Sequence, residues 1–219
     1  MVGEGRRERT VTGHHMLVVT GGPPPTNPGP LPRHNLVIAA DSGAEHAPAL
    51  GLTVDVLVGD MDSVDPTLLA DLETAGCRIE RHPVDKDETD LELALGAAIR
   101  LGASSVTVIT SAGGRPDHAM VNALTASADR WADLLIDLRI DSSRAWVVHD
   151  RLDLDLPVGT TVSLLAVGGP ASGITTTGLR WQLVDADLTP GVGLGMSNEV
   201  GGSQASIRVV SGTLLVIVP

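Results

Sequence analysis

Two acidic clusters hold the densest chemistry in this sequence: Gly59-Asp60-Met61-Asp62-Ser63 and Asp85-Lys86-Asp87-Glu88-Thr89-Asp90. Carboxylates that converge at element boundaries repel one another strongly unless a hard cation sits among them. An oxygen-only donor set, without His or Cys, suits Mg²⁺, which usually binds through one or two carboxylates plus substrate phosphates. Asp41, Asp60 and Asp62 each follow an apolar run. In an open parallel sheet ligands bind beyond the carboxyl ends of the strands, so these three positions share one rim. Asp is also a common turn former and helix cap. The Asp-x-Asp pair occurs as well in metal-dependent glycosyltransferases and in phosphatases that use the first Asp as nucleophile, so it does not name a reaction. Lys86 is the only lysine in the chain; its compact ammonium suits pairing with a phosphate or balancing its acidic neighbours.

Two further segments offer anion chemistry. Thr89-Asp90-Leu91-Glu92 has the spacing of a capping box, and a helix N-terminus there presents free N–H groups and a positive dipole end to phosphate. Gly113-Gly114-Arg115-Pro116-Asp117-His118 is a strand-to-helix loop in which glycines allow close backbone approach and Arg115 supplies a fork of donors. Asp117 reads either as a ligand contact or as the cap of the next helix, and His118 as a first-turn helix residue. No Walker loop occurs, and Gly191-Val192-Gly193-Leu194-Gly195 has no following helix, so it reads as a flexible turn. In the C-terminal part, Thr175 to Trp181 places an indole on a strand or its edge, where it either packs or holds a cationic or flat heteroaromatic ligand.

The elements that must position these groups alternate. The sequence predicts strands over residues 16–20, 36–40, 54–58, 77–81, 105–110 and 134–140. Between them it predicts a short interrupted helix over 44–50, a helix opened by Asp65-Pro66 and closed at Gly76, one starting at Thr89-Asp90, and one over 118–130. Pro23 to Pro32 contains six prolines and excludes a regular helix. This alternation implies an α/β domain with a parallel, Rossmann-like sheet. After about residue 141 the texture changes to short strands over 146–149, 161–167, 174–177, 179–183, 206–210 and 213–218, with Ser211-Gly212 as a hairpin turn. We therefore expect a leader without structure over 1–12, a nucleotide-binding domain over 13–141 and an antiparallel β domain over 142–219.

Composition narrows the partners. The net charge of −12 disfavours nucleic acid, and it would repel a polyphosphate such as ATP unless metal ions and local arginines reverse the field. A small cationic substrate would be attracted. Phe and Tyr are absent and Trp occurs three times, so the core must be aliphatic. Cys77 stands alone, which excludes an internal disulfide and a thiolate zinc site, and it reads as a structural thiol. No apolar run is long enough for a secretory signal or a membrane helix, so a cytoplasmic protein is expected.

Taken together, these motifs resemble the thiamine pyrophosphokinase (thiamine diphosphokinase) family. Its markers read here as Ala40-Asp41-Ser42-Gly43-Ala44, Gly59 to Ser63, Asp87 to Asp90, Gly113 to Asp117, and Thr175 to Trp181 with Gln182-Leu183 and then Ser197-Asn198. The resemblance implies an α/β nucleotide domain followed by a β-sandwich, in a homodimer whose active sites are shared between subunits. It implies ATP-dependent transfer of an intact pyrophosphoryl group to thiamine, with release of AMP. On the matching positions, Asp60, Asp62 and Asp90 would hold Mg²⁺, while Arg115 and Asp117 would position ATP. Asp41 and Thr89 would line the nucleotide site. Trp181 would stack on thiamine, with Ser197 and Asn198 as polar contacts. Ser42 and Glu45 depart from the family's usual Gly and Asn, and no role is carried to either. Two alternatives stay open: a diphosphokinase for another heterocyclic alcohol such as a hydroxymethylpterin, and a non-catalytic thiamine-binding or sensing module.

Overall fold

The computed structural model describes residues 13–219, so the expected leader over 1–12 lies outside the described residues. The strands are β1 (His14–Val19), β2 (Leu36–Ala40), β3 (Val56–Gly59), β4 (Arg78–Arg81), β5 (Ala103–Thr110), β6 (Leu135–Ile140), β7 (Ser143–Val148), β8 (Arg151–Leu154), β9 (Thr161–Thr177), β10 (Ala186–Leu188), β11 (Asn198–Glu199), β12 (Ala205–Arg208) and β13 (Ser211–Val218). The α-helices are α1 (Pro66–Thr74), α2 (Asp90–Arg100) and α3 (Pro116–Ala126).

Six strands run parallel in the order β4-β3-β2-β1-β5-β6. Their central members are near-continuous apolar runs because both faces are covered. Met16, Val18, Ile38, Val58, Val106 and Val108 pack in one cluster with Leu91 and Leu95 of α2. The alternate residues Ala39 and Leu57 instead meet Leu68, Leu69 and Leu72 of α1. Leu17, Val19, Val37 and Ile109 pack under Leu31, which the Pro-rich stretch delivers. Each fully buried Leu or Ile of this kind stabilises the fold by roughly 1.5–3 kcal/mol.

Chain order reverses between β1 and β5: β2, β3 and β4 extend to one side, β5 and β6 to the other. That switch point splays the loops at the carboxyl ends of the strands and opens a crevice there.

Beyond β6 every pairing is antiparallel. β7 continues the sheet to β13 and β9, and β9 passes on to β12 and β8. Leu164, Ile174, Ile207, Leu214 and Val216 form a second core between these layers. The fold is therefore α/β followed by a β-sandwich, as the sequence implies.

Several local expectations need correction. Residues 44–50 form no α-helix; Asp41–Glu45 and Pro48–Leu50 are separate 3₁₀ turns, because Pro48 cannot supply the amide a continuous helix needs. The helix expected over 118–130 begins two residues earlier and ends at Ala126, with a 3₁₀ turn at Asp129–Trp131. The two strands expected over 161–167 and 174–177 are one 17-residue strand, in which Gly168 and Gly173 take positive φ. Residues 179–183 are not a strand; Leu179 makes only an isolated bridge to Val200. Ser211-Gly212 is not a hairpin turn but a register shift at the start of β13.

Candidate active site

The carboxyl ends of β3, β2, β1 and β5 open onto a cleft of about 750 Å³. Thr20 to Pro23 come from the end of β1, Asp41 and Ser42 from β2, Asp60 and Ser63 from β3, and Thr110, Ser111 and Gly113 to Arg115 from β5. The first turn of α2 and the start of α3 close the sides with Thr89, Asp90, Asp117 and His118.

Glycines decide how close these segments come. A Cβ on Gly43 would lie 2.1 Å from the Val19 carbonyl oxygen, so the turn after β2 can rest on the end of β1 only without a side chain. Gly59, at φ 153°, lets Asp41 approach; a Cβ there would lie 3.1 Å from that of Asp41. Asp41 and Met61 themselves take positive φ, 48° and 67°. Non-glycine residues in this region cost energy and cluster at functional sites.

The result is a convergence of Asp41, Asp60 and Asp62, each offering an oxygen within 4.8 Å of the others. Asp41 is buried, its Oδ2 accepting from the Ser63 hydroxyl, and its Oδ1 is sealed from solvent with no hydrogen-bond partner. A buried carboxylate oxygen without a donor is costly, which points to a ligand that supplies one positive contact. Asp60 Oδ1 accepts the amide of Asp62 at 3.1 Å, while Oδ2 takes Lys86 Nζ at 2.9 Å. That hydrogen bond from Lys86 holds the Asp60 carboxyl below the usual carboxylate range, and Asp60 in turn pushes the carboxyl of Asp62 up.

Asp90 lies on the other side of Lys86. Nζ is also 2.9 Å from Asp90 Oδ1, so one ammonium bridges the two acidic clusters. Burial by itself would lower the Lys86 pKa, but the hydrogen bonds to Asp90 and Asp60 outweigh it and raise it. Asp85, Asp87 and Glu88 are exposed. The structure thus adds Asp41 to Asp60 and Asp62 and sets Asp90 one cation away. Sequence reasoning placed Asp41 on the same rim but not among the metal ligands. The signal for it was Gly59, whose missing side chain permits the approach.

Thr89 caps α2 in a complete capping box: its hydroxyl accepts the Glu92 amide at 3.3 Å, and its own amide donates to Glu92 Oε2 at 2.6 Å. Arg130 also donates to Glu92. Burial alone would raise the Glu92 pKa, but the Thr89 amide and Arg130 bring it below the ordinary value. On the opposite wall Arg115 grips Asp117 through Nη2 at 2.5 Å and Nε at 3.2 Å, both side chains being exposed. This hydrogen-bonded pairing holds the Asp117 carboxyl at about 2. So acidic a group is a poor proton acceptor near neutrality. Arg115, not Asp117, occupies the N-cap position of α3.

Trp181, Ser197 and Asn198 do not line this cleft. Trp181 is 55% exposed, with the guanidinium of Arg180 over its ring at 4.8 Å. Asn198 is buried, and its amide is spent on the loop: Nδ2 donates to Trp181 O at 2.7 Å, and Oδ1 accepts the Trp181 amide at 3.1 Å. It therefore fixes the backbone that carries the indole. Ser197 is exposed beside it, with φ 53° and its amide donating to Ser163 Oγ at 3.0 Å.

Comparison with known proteins matches two segments of the chain to two family models. Residues 31–130 match the family model described as thiamin pyrophosphokinase, catalytic domain, and residues 149–214 match thiamin pyrophosphokinase, vitamin B1 binding domain. Thiamine pyrophosphokinase of Bacillus subtilis is 26% identical over 206 residues, covering 91% of this chain and 96% of that protein. Thiamine pyrophosphokinase 1 of rice (Oryza sativa subsp. japonica) is 28% identical over 174 residues, which span 74% of this chain but 64% of the rice protein. The crystal structure of the Bacillus subtilis protein superposes with a TM-score of 0.79 at 25% identity, covering 93% of this chain and 98% of that one. Thiamin pyrophosphokinase from Candida albicans has the same fold at 13% identity, with a TM-score of 0.74.

Proposed function

This chain belongs to the thiamine pyrophosphokinase family, and we propose that it transfers the pyrophosphoryl group of ATP to the hydroxyl of thiamine, releasing AMP. The observation that carries this reading is the convergence of Asp41, Asp60 and Asp62 at the mouth of a cleft also lined by Arg115 and the first turn of α2.

The donor set fits Mg²⁺. It is all oxygen, it gathers three carboxylates, and it leaves Asp41 Oδ1 buried without a partner. Asp41, Asp60 and Asp62 would hold the ion, with Asp90 the further carboxylate released when Lys86 moves. When bound, the ion supplies positive charge to phosphate oxygens during displacement.

The chain's own groups do the rest. In the transfer the thiamine hydroxyl oxygen forms a bond to the β-phosphorus as the bond from that phosphorus to the α,β-bridging oxygen breaks; AMP departs with the bridging oxygen and its electron pair, and the hydroxyl proton passes to solvent. Such a step needs in-line positioning and charge stabilisation more than covalent help. The α2 N-terminus at Thr89 offers its dipole to a phosphate, and the exposed Arg115 offers guanidinium N–H donors opposite it. The short turn after β1, Gly21-Gly22-Pro23, gives the nucleotide a side-chain-poor wall.

The thiamine end is assigned to Trp181, with Ser197 at its side and Asn198 holding its loop. Because Trp181 lies outside the cleft of its own chain, we assign the complete site to a homodimer in which one subunit's cleft meets the partner's β-sandwich. Two exposed apolar groups support that pairing: Met120, Val121 and Leu124 on α3 beside the cleft, and Leu194 and Met196 in the segment leading to Asn198. Among the described residues no helix is long and apolar enough to cross a membrane, and we place the enzyme in the cytoplasm.

The test is AMP release from ATP by the purified protein with Mg²⁺, with and without thiamine. Thiamine-dependent AMP and thiamine diphosphate are expected. Faster turnover of a hydroxymethylpterin, or tight thiamine binding with no ATP consumed, would overturn the assignment.

A further inference from the structure

Lys86 stands where the two acidic clusters meet, and the cleft holds no other lysine because the chain has none. Its side chain is only 10% exposed, and its Nζ sits 2.9 Å from both Asp60 and Asp90. Asp60 is at the same time one of the three carboxylates whose oxygens lie within 4.8 Å of one another. An ammonium and a divalent cation cannot both take the inner face of Asp60 at full strength, since each would desolvate and repel the other. The nearest alternative partner for the ammonium is an anion in the cleft, which Lys86 lines.

We propose that Lys86 is a tethered counter-cation that withholds Asp60 and Asp90 from a free divalent ion until a polyphosphate in the cleft draws the ammonium away. The inference rests on the metal and nucleotide reading of the cleft and goes beyond it by making the two ligands depend on each other. Phosphate that engages Lys86 frees two carboxylates for metal, and metal that takes Asp60 frees Lys86 for phosphate. By thermodynamic linkage the coupling is the same in both directions. A fixed arginine would serve less well, since its planar fork would hold the carboxylates in a bidentate geometry, whereas the flexible stem of Lys lets one charge change partners. Lys86 is here a positioning residue for the metal site and a binding residue for the polyphosphate.

The test uses Mn²⁺ alone as the metal probe and inorganic tripolyphosphate as the anion probe. Lys86→Gln should bind free Mn²⁺ about tenfold more tightly than the unsubstituted protein, equivalent to ~1.4 kcal/mol, and should bind tripolyphosphate more weakly. A residue with a merely structural role would weaken Mn²⁺ binding or leave it unchanged. In the unsubstituted protein, acylation of the Lys86 amine, read by mass on the one lysine-containing peptide, should rise several-fold when Mn²⁺ is added and fall again with tripolyphosphate. Unchanged or weaker Mn²⁺ binding by Lys86→Gln, or Lys86 acylation indifferent to Mn²⁺, overturns the proposal. Thiamine-dependent AMP release, followed in the same preparation, separates that failure from failure of the functional reading.

Discussion

Asp141 accepts both the backbone amide and the hydroxyl of Thr26 through Oδ1, at 2.8 and 3.0 Å, across 115 residues of sequence. Its other oxygen takes the amide of Ala112 at 2.8 Å. One carboxylate at the end of β6 thereby pins the Pro-rich stretch and the Gly113-Gly114 loop, whose Pro23 and Arg115 both line the cleft. Asp141→Ala should cost about 1 kcal/mol of stability, a charge-assisted hydrogen-bond loss discounted for partial exposure. It should also raise KM for ATP more than it lowers kcat. Denaturant unfolding together with steady-state kinetics checks both effects.

The same carboxylate gives a pH dependence of definite sign. Burial alone would raise its pKa, but the Thr26 and Ala112 amides outweigh it and hold the value below the ordinary 3.8. The folded state therefore binds its proton less readily than the unfolded state does. The stabilisation is fully present above the unfolded value and is lost as pH falls through the lower folded value. The stability difference between the unsubstituted protein and Asp141→Asn should be constant from pH 7 to about pH 5 and shrink below about pH 4. A difference that grows on acidification would contradict this account.

Asp62 should trade stability against activity. It is exposed, and Asp60 raises its carboxyl pKa, so its charge is unwelcome in the metal-free protein. Asp62→Asn should leave the fold as stable or more stable when no divalent ion is present, and the thermal stabilisation that Mg²⁺ gives should shrink. Thiamine-dependent AMP release should fall by at least about a hundredfold, the scale of losing one electrostatic contact in a transition state. Melting curves with and without Mg²⁺, paired with the AMP assay, separate the two effects.

What could be read beforehand followed from how local each feature is. β2 matches its expected bounds, and the Thr89 capping box is complete, because hydrophobic runs and cap chemistry are set within a few residues. The sandwich was harder. β8, Arg-Leu-Asp-Leu, is four residues long and too short for alternation to stand out. At Gly168-Gly169-Pro170 the residues read as a turn, yet β9 pairs with β13 on both sides of them, at Val167 and Ser172, across a register shift. Residues 179–183 look like a strand, but the buried Asn198, 17 residues away, takes the backbone groups of Trp181 that a neighbouring strand would have used. In the cleft, the convergence of Asp60 and Asp62 was legible from their spacing. The approach of Asp41 and the bridging by Lys86 depend on contacts across 22 and 26 residues, which composition and periodicity do not encode.

Trp181 offers the sharpest test of a site divided between subunits. Trp181→Ala removes an exposed indole whose face suits a cationic ring, so KM for thiamine should rise about tenfold while KM for ATP stays unchanged. If the cleft of one subunit is completed by the partner's indole, a dimer of one Asp62→Asn chain and one Trp181→Ala chain carries one doubly impaired site and one intact site. Random mixing of the two variants in equal amounts, after dissociation and reassembly, makes half the dimers mixed and half of their sites intact. Activity at low thiamine should therefore recover to about a quarter of the unsubstituted value, although alone Trp181→Ala keeps only about a tenth and Asp62→Asn about a hundredth. Were both site elements supplied by a single chain, mixing would restore nothing, and the rate would remain the average of the two parents.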